Sequence, residues 1–394
     1  MSTSIDPTER FAAMQDALRA AAHCQPVVVV DRERLDRNLD QLAATVPAGF
    51  GVRIVAKSLP SIDLLRYVME RLDTDRLMTF NLPMLRTLAA VLPDVDQLCG
   101  KPFPVAAADR FYDMPGASTA QVQWLVDTPD RLAQYEELAT RRGLRLRVSF
   151  ELDIGLHRGG FAPGAVLRSA LERVGSGELD FAGFMGYEAH VAKFPAGRLR
   201  DRVFARALDT YRDAIDIARR VHGDDAIDSA ILNAAGSPTY ALHDGAGPAN
   251  EISIGSALLK GTDFDTDLLG AFEPAVYIAA PVLKVLDAPQ VPGLPADGRR
   301  FGRRRARSRR AVFIHGGHWL AGPVHPPGLR HSRLFGRSSN QEMFTLTGDA
   351  PLEPDDFVFL RPTQTEAVLL QFGDIAVFDA GAIVEHWPVM PASA

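Results

Sequence analysis

The chain has 394 residues, 46% hydrophobic and 23% charged, with a formal net charge of -6 at pH 7, and this length favours two domains over a single hydrophobic core. No run approaches the roughly 18 apolar residues that cross a bilayer, and the N-terminal sequence carries charges where a signal peptide has an apolar run. Two cysteines give no disulfide framework, so the composition argues against a membrane or secreted protein and predicts a cytoplasmic one.

A strand followed by a helix recurs along the first two thirds of the chain. Each unit has an apolar run and then apolar residues at helical spacing. The predicted strands are Val27–Val30, Arg53–Ala56, Leu77–Thr79, Gln97–Cys99, Val122–Val126, Leu144–Leu152, Phe181–Tyr187 and Ala230–Leu232. About eight such units predict an α/β fold with a (β/α)8 TIM-type barrel, because a doubly wound sheet has fewer strands and a glycine-rich first turn.

The rhythm changes after about Asp265. Short apolar runs such as Ala275–Leu286, Ala367–Phe372 and Ile375–Phe378 follow, separated by Gly, Pro and Asp and without an amphipathic helix between them. This pattern predicts an all-β C-terminal domain. The predicted domains are an N-terminal helical segment at 1–25, a barrel at 26–266 and the β domain at 267–394.

Lys57 is the most informative single residue. It ends the apolar run Gly51–Ser58, and a lysine in that position projects from the mouth of a parallel barrel. A desolvated amine there can condense with an aldehyde, for which pyridoxal phosphate (PLP) is the leading candidate. The alternative is a solvated lysine at the end of a strand.

Two later strand ends carry further polar residues. The segment Glu151–Phe161 contains Arg158, which could hold a phenolate oxygen of a ring or form a salt bridge with Glu151 or Asp153. The next strand ends in Tyr187 and His190, which could contact a cofactor ring and transfer a proton, or be structural.

Two small-residue turns resemble anion cradles. They are Asn233–Thr239, directly after a strand, and Glu251–Ser256, which ends another. Their backbone N–H groups can approach a phosphate, and barrels commonly bind phosphate on their last two strand-end loops. The predicted phosphate contacts are Gly236, Ser237, Thr239, Gly255 and Ser256.

An arginine-rich segment lies in the predicted β domain. It contains Arg299, Arg300, Arg303, Arg304, Arg305, Arg307, Arg309 and Arg310. RNA binding is one interpretation. A solvated loop is favoured, because only Phe301 offers a ring for base stacking and the rest of the chain is acidic, so nucleic acid is not expected as a partner.

Taken in order, these motifs resemble those of the fold-type III PLP enzymes, in particular the D-threonine aldolase and D-serine dehydratase-like branch of the alanine racemase group. The resemblance implies an alanine racemase-like barrel followed by a β domain, and a homodimer with its active sites between subunits. It implies that Lys57 forms the Schiff base, Arg158 lies near the pyridoxal phenolate, and Tyr187 and His190 match the family's Y-x-G-H element. The two turns match its phosphate-binding elements, although Ala257 replaces the tyrosine that usually follows Ser256.

The C-terminal part departs from this pattern. The related enzymes carry a metal site of the form P-x-H-x-C or P-x-H-x-D, whereas this chain has Gln364 and Glu366 at those positions. Two oxygen ligands would suit Mg²⁺, Mn²⁺ or Ca²⁺ rather than Zn²⁺. The alternative is that both side chains bind the substrate directly.

The resemblance predicts a lyase that acts on D-β-hydroxy-α-amino acids. Aldol cleavage would release glycine and an aldehyde, and dehydration would release an oxo-acid and ammonia, with Lys57 and His190 as the predicted catalytic residues. The alternatives are an amino-acid racemase, which needs a second base on the opposite face of the cofactor, and a PLP carrier without turnover, which the large β domain disfavours.

Overall fold

A computed structural model describes residues 7–287 and 309–391. The described chain divides into two compact units. The first contains the residues up to Arg37, Leu259–Asp263 and the described part of Glu273–Val389, and the second contains Asn38–Leu258, Phe264–Phe272 and the last described residues from Met390. No helix in the described ranges is long and apolar enough to cross a membrane.

Helices and strands alternate up to residue 259, and strands predominate afterwards. The α-helices are α1 (Pro7–Ala20), α2 (Arg32–Thr45), α3 (Ile62–Leu72), α4 (Leu82–Val91), α5 (Val105–Phe111), α6 (Pro129–Arg142), α7 (Ala165–Leu171), α8 (Arg198–His222), α9 (Asp224–Asp228) and α10 (Ser256–Leu259). The strands are β1 (Val27–Asp31), β2 (Gly51–Val55), β3 (Arg76–Thr79), β4 (Asp96–Cys99), β5 (Val122–Val126), β6 (Leu146–Leu152), β7 (Leu179–Gly186), β8 (Ile231–Ala234), β9 (Glu251–Ile254), β10 (Val276–Leu286), β11 (Arg309–Ile314), β12 (Ala321–His325), β13 (Leu329–His331), β14 (Met343–Thr347), β15 (Phe357–Pro362), β16 (Asp374–Asp379) and β17 (Ala382–Pro388).

Strands β2 to β9 form a closed parallel barrel in the second unit. The barrel closes where β2 pairs with β9, with Gly51 opposite Glu251. Parallel strands place all their carboxyl ends at one mouth, which is where barrel enzymes carry their functional residues. The predicted α/β fold class, a (β/α)8 barrel followed by a β domain, is confirmed.

Local sequence explains how individual units begin and end. Helix α6 starts where Thr128 accepts a hydrogen bond from the backbone N–H of Arg131 at 3.1 Å, with Pro129 in the first turn. It ends at Gly143, which takes the left-handed conformation with φ of 61°. Its buried face packs against β5, where the rings of Tyr135 and Trp124 lie 5.6 Å apart. These cap residues are local sequence signals that mark both ends of the helix.

The strand β1 is not part of the barrel. It pairs antiparallel with β10 and parallel with β16, in the sheet of the first unit. The expectation that Val27–Val30 begins the barrel was therefore wrong. Four consecutive buried valines fit any strand that is covered on both faces, so the pattern does not specify a sheet. The eighth barrel strand is β9, at Glu251–Ile254.

The first unit is built around this sheet. Among the described residues, nine strands form one sheet in which β1 lies between β10 and β16. Helix α1 packs on it through Phe11, Met14 and Leu18. The predicted strands at Ala275–Leu286 and Ile375–Phe378 are β10 and β16. The apolar run Ala367–Phe372, expected as a strand, instead contributes to two short 3-10 turns.

A charge network centred on the buried Arg53 and Glu251 fills part of the barrel interior. Arg53 on β2 has no exposed surface and donates to both carboxylate oxygens of Glu251 at 2.6 and 3.0 Å, and to Asp96 at 2.7 Å. Arg76 also contacts Glu251 at 2.9 Å, and Arg147 contacts Asp96 at 2.7 Å. The network joins strands β2, β3, β4, β6 and β9, whose far ends lie at the barrel mouth.

Candidate active site

Lys57 lies at the carboxyl end of β2. Lys57 belongs to a short 3-10 turn, Ala56–Ser58, that follows the strand directly. The lysine is half-buried, and its Nζ lies 4.6 Å from the ring centroid of Phe80, which follows β3. The amine therefore lies at the barrel mouth against an aromatic face. Phe80 was not singled out from the sequence, because its contact with Lys57 depends on the pairing of β2 with β3.

The turn that carries Lys57 is connected to the second predicted phosphate turn. The hydroxyl groups of Ser58 and Ser256 are hydrogen-bonded at 2.8 Å. A Cβ atom at Gly255 would lie 2.8 Å from the Cβ of Val55 and 2.9 Å from its carbonyl oxygen. Only glycine allows this close approach, so the end of β9 and the end of β2 form one surface.

The two predicted phosphate turns are also connected to each other. The hydroxyl oxygen of Ser237 accepts hydrogen bonds from the backbone N–H groups of Gly255 at 3.3 Å and Ala257 at 3.0 Å. Ser237 is buried, as are all residues from Glu251 to Lys260. The loops after β8 and β9 thus form a continuous cradle of small residues.

Tyr187 packs between the other predicted residues. Its ring centroid lies 5.5 Å from the guanidinium carbon of Arg158. On another side, a Cβ atom at Gly236 would lie 2.6 Å from the Cε2 atom of Tyr187, which again requires glycine. The structure therefore brings together Arg158, Tyr187 and Gly236, as expected from their positions at strand ends.

Arg158 also lies near a buried acid. Its Nη2 is 3.8 Å from Glu151, whereas Asp153 accepts a hydrogen bond from the backbone N–H of His157 at 2.9 Å. Burial raises the pKa of Glu151 above its ordinary value, although the charge of Arg158 works in the opposite direction. Arg158 is itself exposed, so this pair leaves its guanidinium accessible to a ligand.

His190 lies in the loop after β7. Its ring faces Gly155, where a Cβ atom would be 3.0 Å from Nε2. The Nδ1 atom is buried and makes no hydrogen bond with the described residues. Burial lowers the pKa of His190, although Glu188 opposes this shift. A neutral imidazole with an unused nitrogen is suited to exchange a proton.

A buried group beside the first phosphate turn was not predicted from the sequence. Thr239, predicted as a hydroxyl donor to phosphate, donates instead to Glu188 at 2.5 Å. His243 lies 3.3 Å from the same carboxylate. The sequence does show an acid, Glu188, directly after Tyr187 at the end of an apolar strand. Its partners could not be predicted, because Thr239 and His243 follow a different strand.

The predicted metal residues belong to the other unit. The side-chain amide of Gln364 donates to Asp263 at 2.8 Å, and Glu366 accepts from the hydroxyl of Thr365 at 3.2 Å. Within residues 7–287 and 309–391, no group of three or more His, Cys, Asp and Glu side chains could hold a metal ion. Of the arginine-rich segment, Arg309 and Arg310 begin β11, and the other arginines lie outside the described residues.

A parallel barrel with a lysine at its mouth, followed by a β unit, is the architecture of the fold-type III PLP enzymes. Residues 30–263 match the family described as "Alanine racemase, N-terminal domain". The chain belongs to this family, and the resemblance stated from the sequence motifs is confirmed. A search of curated proteins gave no match.

Solved structures of similar fold include three kinds of enzyme. A D-threonine aldolase from Filomicrobium marinum is 18% identical, with a TM-score of 0.72 over 93% of this chain and 97% of that one. A D-threo-3-hydroxyaspartate dehydratase from Delftia sp. HT23 is 15% identical, with a TM-score of 0.70 over 94% and 98%. An alanine racemase from Bacillus anthracis is 15% identical, with a TM-score of 0.69 over 93% and 98%. These identities support the fold and leave the reaction open.

The residues at the barrel mouth fit the cofactor expected for this family. An anionic phosphate suits the cradle of small residues, because Gly236 and Gly255 leave no room for a side chain and Ser237 offers a hydroxyl. A pyridoxal ring suits the side of the site formed by Tyr187 and Arg158. The aldehyde suits Lys57, the amine that the cradle adjoins through Ser58.

Proposed function

We propose that the protein is a PLP-dependent lyase that acts on D-configured β-hydroxy-α-amino acids. The observation that carries the proposal is the continuous connection from the turn of Lys57, through Ser58 and Ser256, to the cradle formed with Ser237. This connection gives an amine and an anion site on one surface. The D-threonine aldolase and the hydroxyaspartate dehydratase among the similar structures support the substrate class.

Each residue at the barrel mouth has a proposed role. Lys57 forms the covalent bond to the cofactor and afterwards exchanges the α-proton, the cradle holds the phosphate, and Arg158 and Tyr187 hold the ring. The bound cofactor supplies a conjugated ring that accepts electrons from a bond at Cα. His190 exchanges a proton with the substrate, which its neutral imidazole permits near pH 7.

In the other unit, Glu366 is proposed to bind the β-hydroxyl of the substrate, directly or through Mg²⁺, Mn²⁺ or Ca²⁺. Glu366, Asp263 and the carbonyl of Gln364 offer oxygen atoms, which these cations prefer. We further propose a homodimer with the active site at the subunit interface. Light scattering would test the dimer, and activity with and without EDTA, followed by each cation in turn, would test the metal.

The covalent bond at Lys57 is the first point to test. The purified protein is saturated with PLP, reduced with borohydride and digested, and the modified peptide is identified by mass spectrometry. The expected product carries the label on Lys57, and K57A loses both the label and the absorbance band of the bound cofactor. K101A, which changes an exposed lysine, is the matched control. A label on any other residue, or none, would overturn the proposal.

The reaction is tested separately. D- and L-β-hydroxy-amino acids are incubated with the enzyme, and aldehyde, glycine, oxo-acid and ammonia are measured. Release of aldehyde and glycine identifies aldol cleavage, and release of oxo-acid and ammonia identifies dehydration. Aldol cleavage is expected to be slightly favoured over dehydration.

An amino-acid racemase is the second candidate. The family itself and the racemases among the similar structures favour it. Single enantiomers of alanine and serine in D₂O would distinguish the two functions. A racemase yields the deuterated antipode, whereas a lyase yields cleavage or elimination products and no antipode.

A further inference from the structure

Glu188 connects two loops beside the cradle. It directly follows Tyr187, and its side chain is only 1% exposed. The carboxylate accepts hydrogen bonds from the Thr239 hydroxyl at 2.5 Å and from the backbone N–H of Ala235 at 3.4 Å, and lies 3.3 Å from Nε2 of His243. Thr239 and His243 are buried as well. The loop after β7 is thereby joined to the loop after β8.

The chemistry of a carboxylate fixes the direction of these hydrogen bonds. A carboxylate accepts and does not donate, so the hydroxyl hydrogen of Thr239 points at Glu188. The oxygen of Thr239 then accepts from the backbone N–H of Gly236 at 3.4 Å. The hydroxyl hydrogen of Thr239 is therefore used in the bond to Glu188 and is not available to a ligand. By contrast, Ser237 accepts from two backbone groups, which leaves its own hydrogen able to donate to a ligand.

The same loop contains a strained residue. Ala235 has φ of 63°, in the left-handed region that alanine rarely adopts. Its N–H group is one of the donors to Glu188. The neighbouring Gly236 packs against the ring of Tyr187. Residues 187 and 188 together thus hold the loop in this conformation, one by packing and the other by hydrogen bonding.

We propose that Glu188 is a positioning residue that gives the loop at 235–239 the shape that receives the cofactor phosphate, with Ser237 rather than Thr239 as the hydroxyl donor. The proposal rests on the proposed PLP site. It requires the carboxylate to act through Thr239 and not by touching the phosphate, because two adjacent negative charges would weaken binding.

The test compares the affinity of the cofactor site for PLP and for pyridoxal, which lacks the phosphate. Both ligands are titrated against cofactor-depleted protein, and the ratio of the two dissociation constants isolates the phosphate contribution. E188L and T239V each remove one partner and are expected to lower the preference for PLP about tenfold. The double variant E188L/T239V should lose no more of the preference than E188L alone, since the hydrogen bond that T239V breaks is already absent in E188L.

Conservative variants keep the result interpretable. E188Q retains an acceptor and T239S retains a donor, so both should preserve the preference for PLP within about threefold. T79V is the matched control, because Thr79 is buried in β3 and its hydroxyl makes no hydrogen bond with the described residues. If E188L does not fold, E188Q, T239S and T239V decide the question.

Three results would overturn the positioning role of Glu188. An unchanged preference in T239V, additive losses in the double variant, or a stronger preference in E188Q would each show that Glu188 does not act through Thr239. S237A should lower the preference as well, and a normal preference there would reject the assigned donor. Failure of the proposed function is distinguishable, because wild-type protein would then show no preference for PLP over pyridoxal.

Discussion

The charge network around the buried Arg53 and Glu251 allows a quantitative prediction. Replacing Glu251 with glutamine should destabilise the barrel more than replacing Arg53 with methionine. Arg53 makes hydrogen bonds to Glu251, to the Asp96 side chain and to the carbonyl oxygens of Leu77 and Asp96. When Arg53 is removed, Glu251 keeps Arg76, and Asp96 keeps other donors. Each acid then still has a cationic partner.

The charge balance sets the order of the two effects. The network contains three arginines and two acids, as given by its ion pairs. R53M leaves two charges of each sign, whereas E251Q leaves three positive charges and only Asp96. Breaking a buried pair costs about 3 to 5 kcal/mol in the free energy of unfolding. We expect R53M near the lower value and E251Q near or above the upper one. The double variant R53M/E251M should recover part of the loss, because Asp96 keeps Arg147 and the Arg76 side chain, which loses Glu251, is 38% exposed to solvent.

The assay is equilibrium unfolding in urea, followed by tryptophan fluorescence. Of the three tryptophans, only Trp124 lies in the barrel unit and is fully buried. Trp319 and Trp387 are replaced by phenylalanine in all variants, so the signal reports the barrel. Equal losses for R53M and E251Q, or a double variant whose loss equals the sum of both, would refute the reasoning. The reversibility of each transition is checked first.

The network also has an expected pH dependence. Burial tends to raise the pKa of Asp96, but Arg53 and Arg147 outweigh it and lower that pKa. A carboxyl group whose pKa is lowered in the folded protein stabilises it at any pH above the ordinary pKa of the group. This contribution is lost as the pH falls from the ordinary pKa through the lowered pKa of the folded state. In R53M the folded pKa rises toward its ordinary value, so the part of the acid-induced loss of stability that comes from Asp96 should be smaller and should be complete at a higher pH. Urea titrations repeated at several pH values would detect this shift.

Three further predictions concern the candidate site. G236A should weaken PLP binding about tenfold, because the added methyl displaces Tyr187, and an unchanged dissociation constant would contradict the packing. The raised pKa of Glu151 makes its ionisation unfavourable in the folded protein. E151Q should therefore raise the free energy of unfolding at pH 7 by about 1.4 kcal/mol for each pH unit by which the pKa is raised. This gain in stability should vanish as the pH falls through the ordinary pKa of glutamate. Finally, the pKa of His190, whose NMR signal is assigned by comparison with H190N, should lie below that of an ordinary histidine. The contribution of His190 to stability should therefore be lost as the pH falls through that lowered pKa. A normal or raised pKa would remove the case for a neutral imidazole at pH 7.

Local signals predicted much of the fold. Thr128, Pro129 and Gly143 mark the ends of α6 because capping depends only on neighbouring backbone groups. The position of Lys57 at the barrel mouth follows from the strand before it. The sheet to which β1 belongs was not predictable in the same way, because buried valines satisfy any covered strand.

The candidate site shows the same difference between what local sequence predicts and what depends on tertiary contacts. The sequence by itself determined which residues lie at strand ends, namely Lys57, Arg158, Tyr187 and the two small-residue turns. Only the tertiary structure decided which hydrogen bonds they make, such as that between Thr239 and Glu188, which are 51 positions apart. Arg53 and Glu251 are separated by 198 positions. Residues this distant along the chain become hydrogen-bonding partners only when the strands close into a barrel. The periodicity within a single strand or helix depends on neighbouring residues and therefore does not predict such pairs.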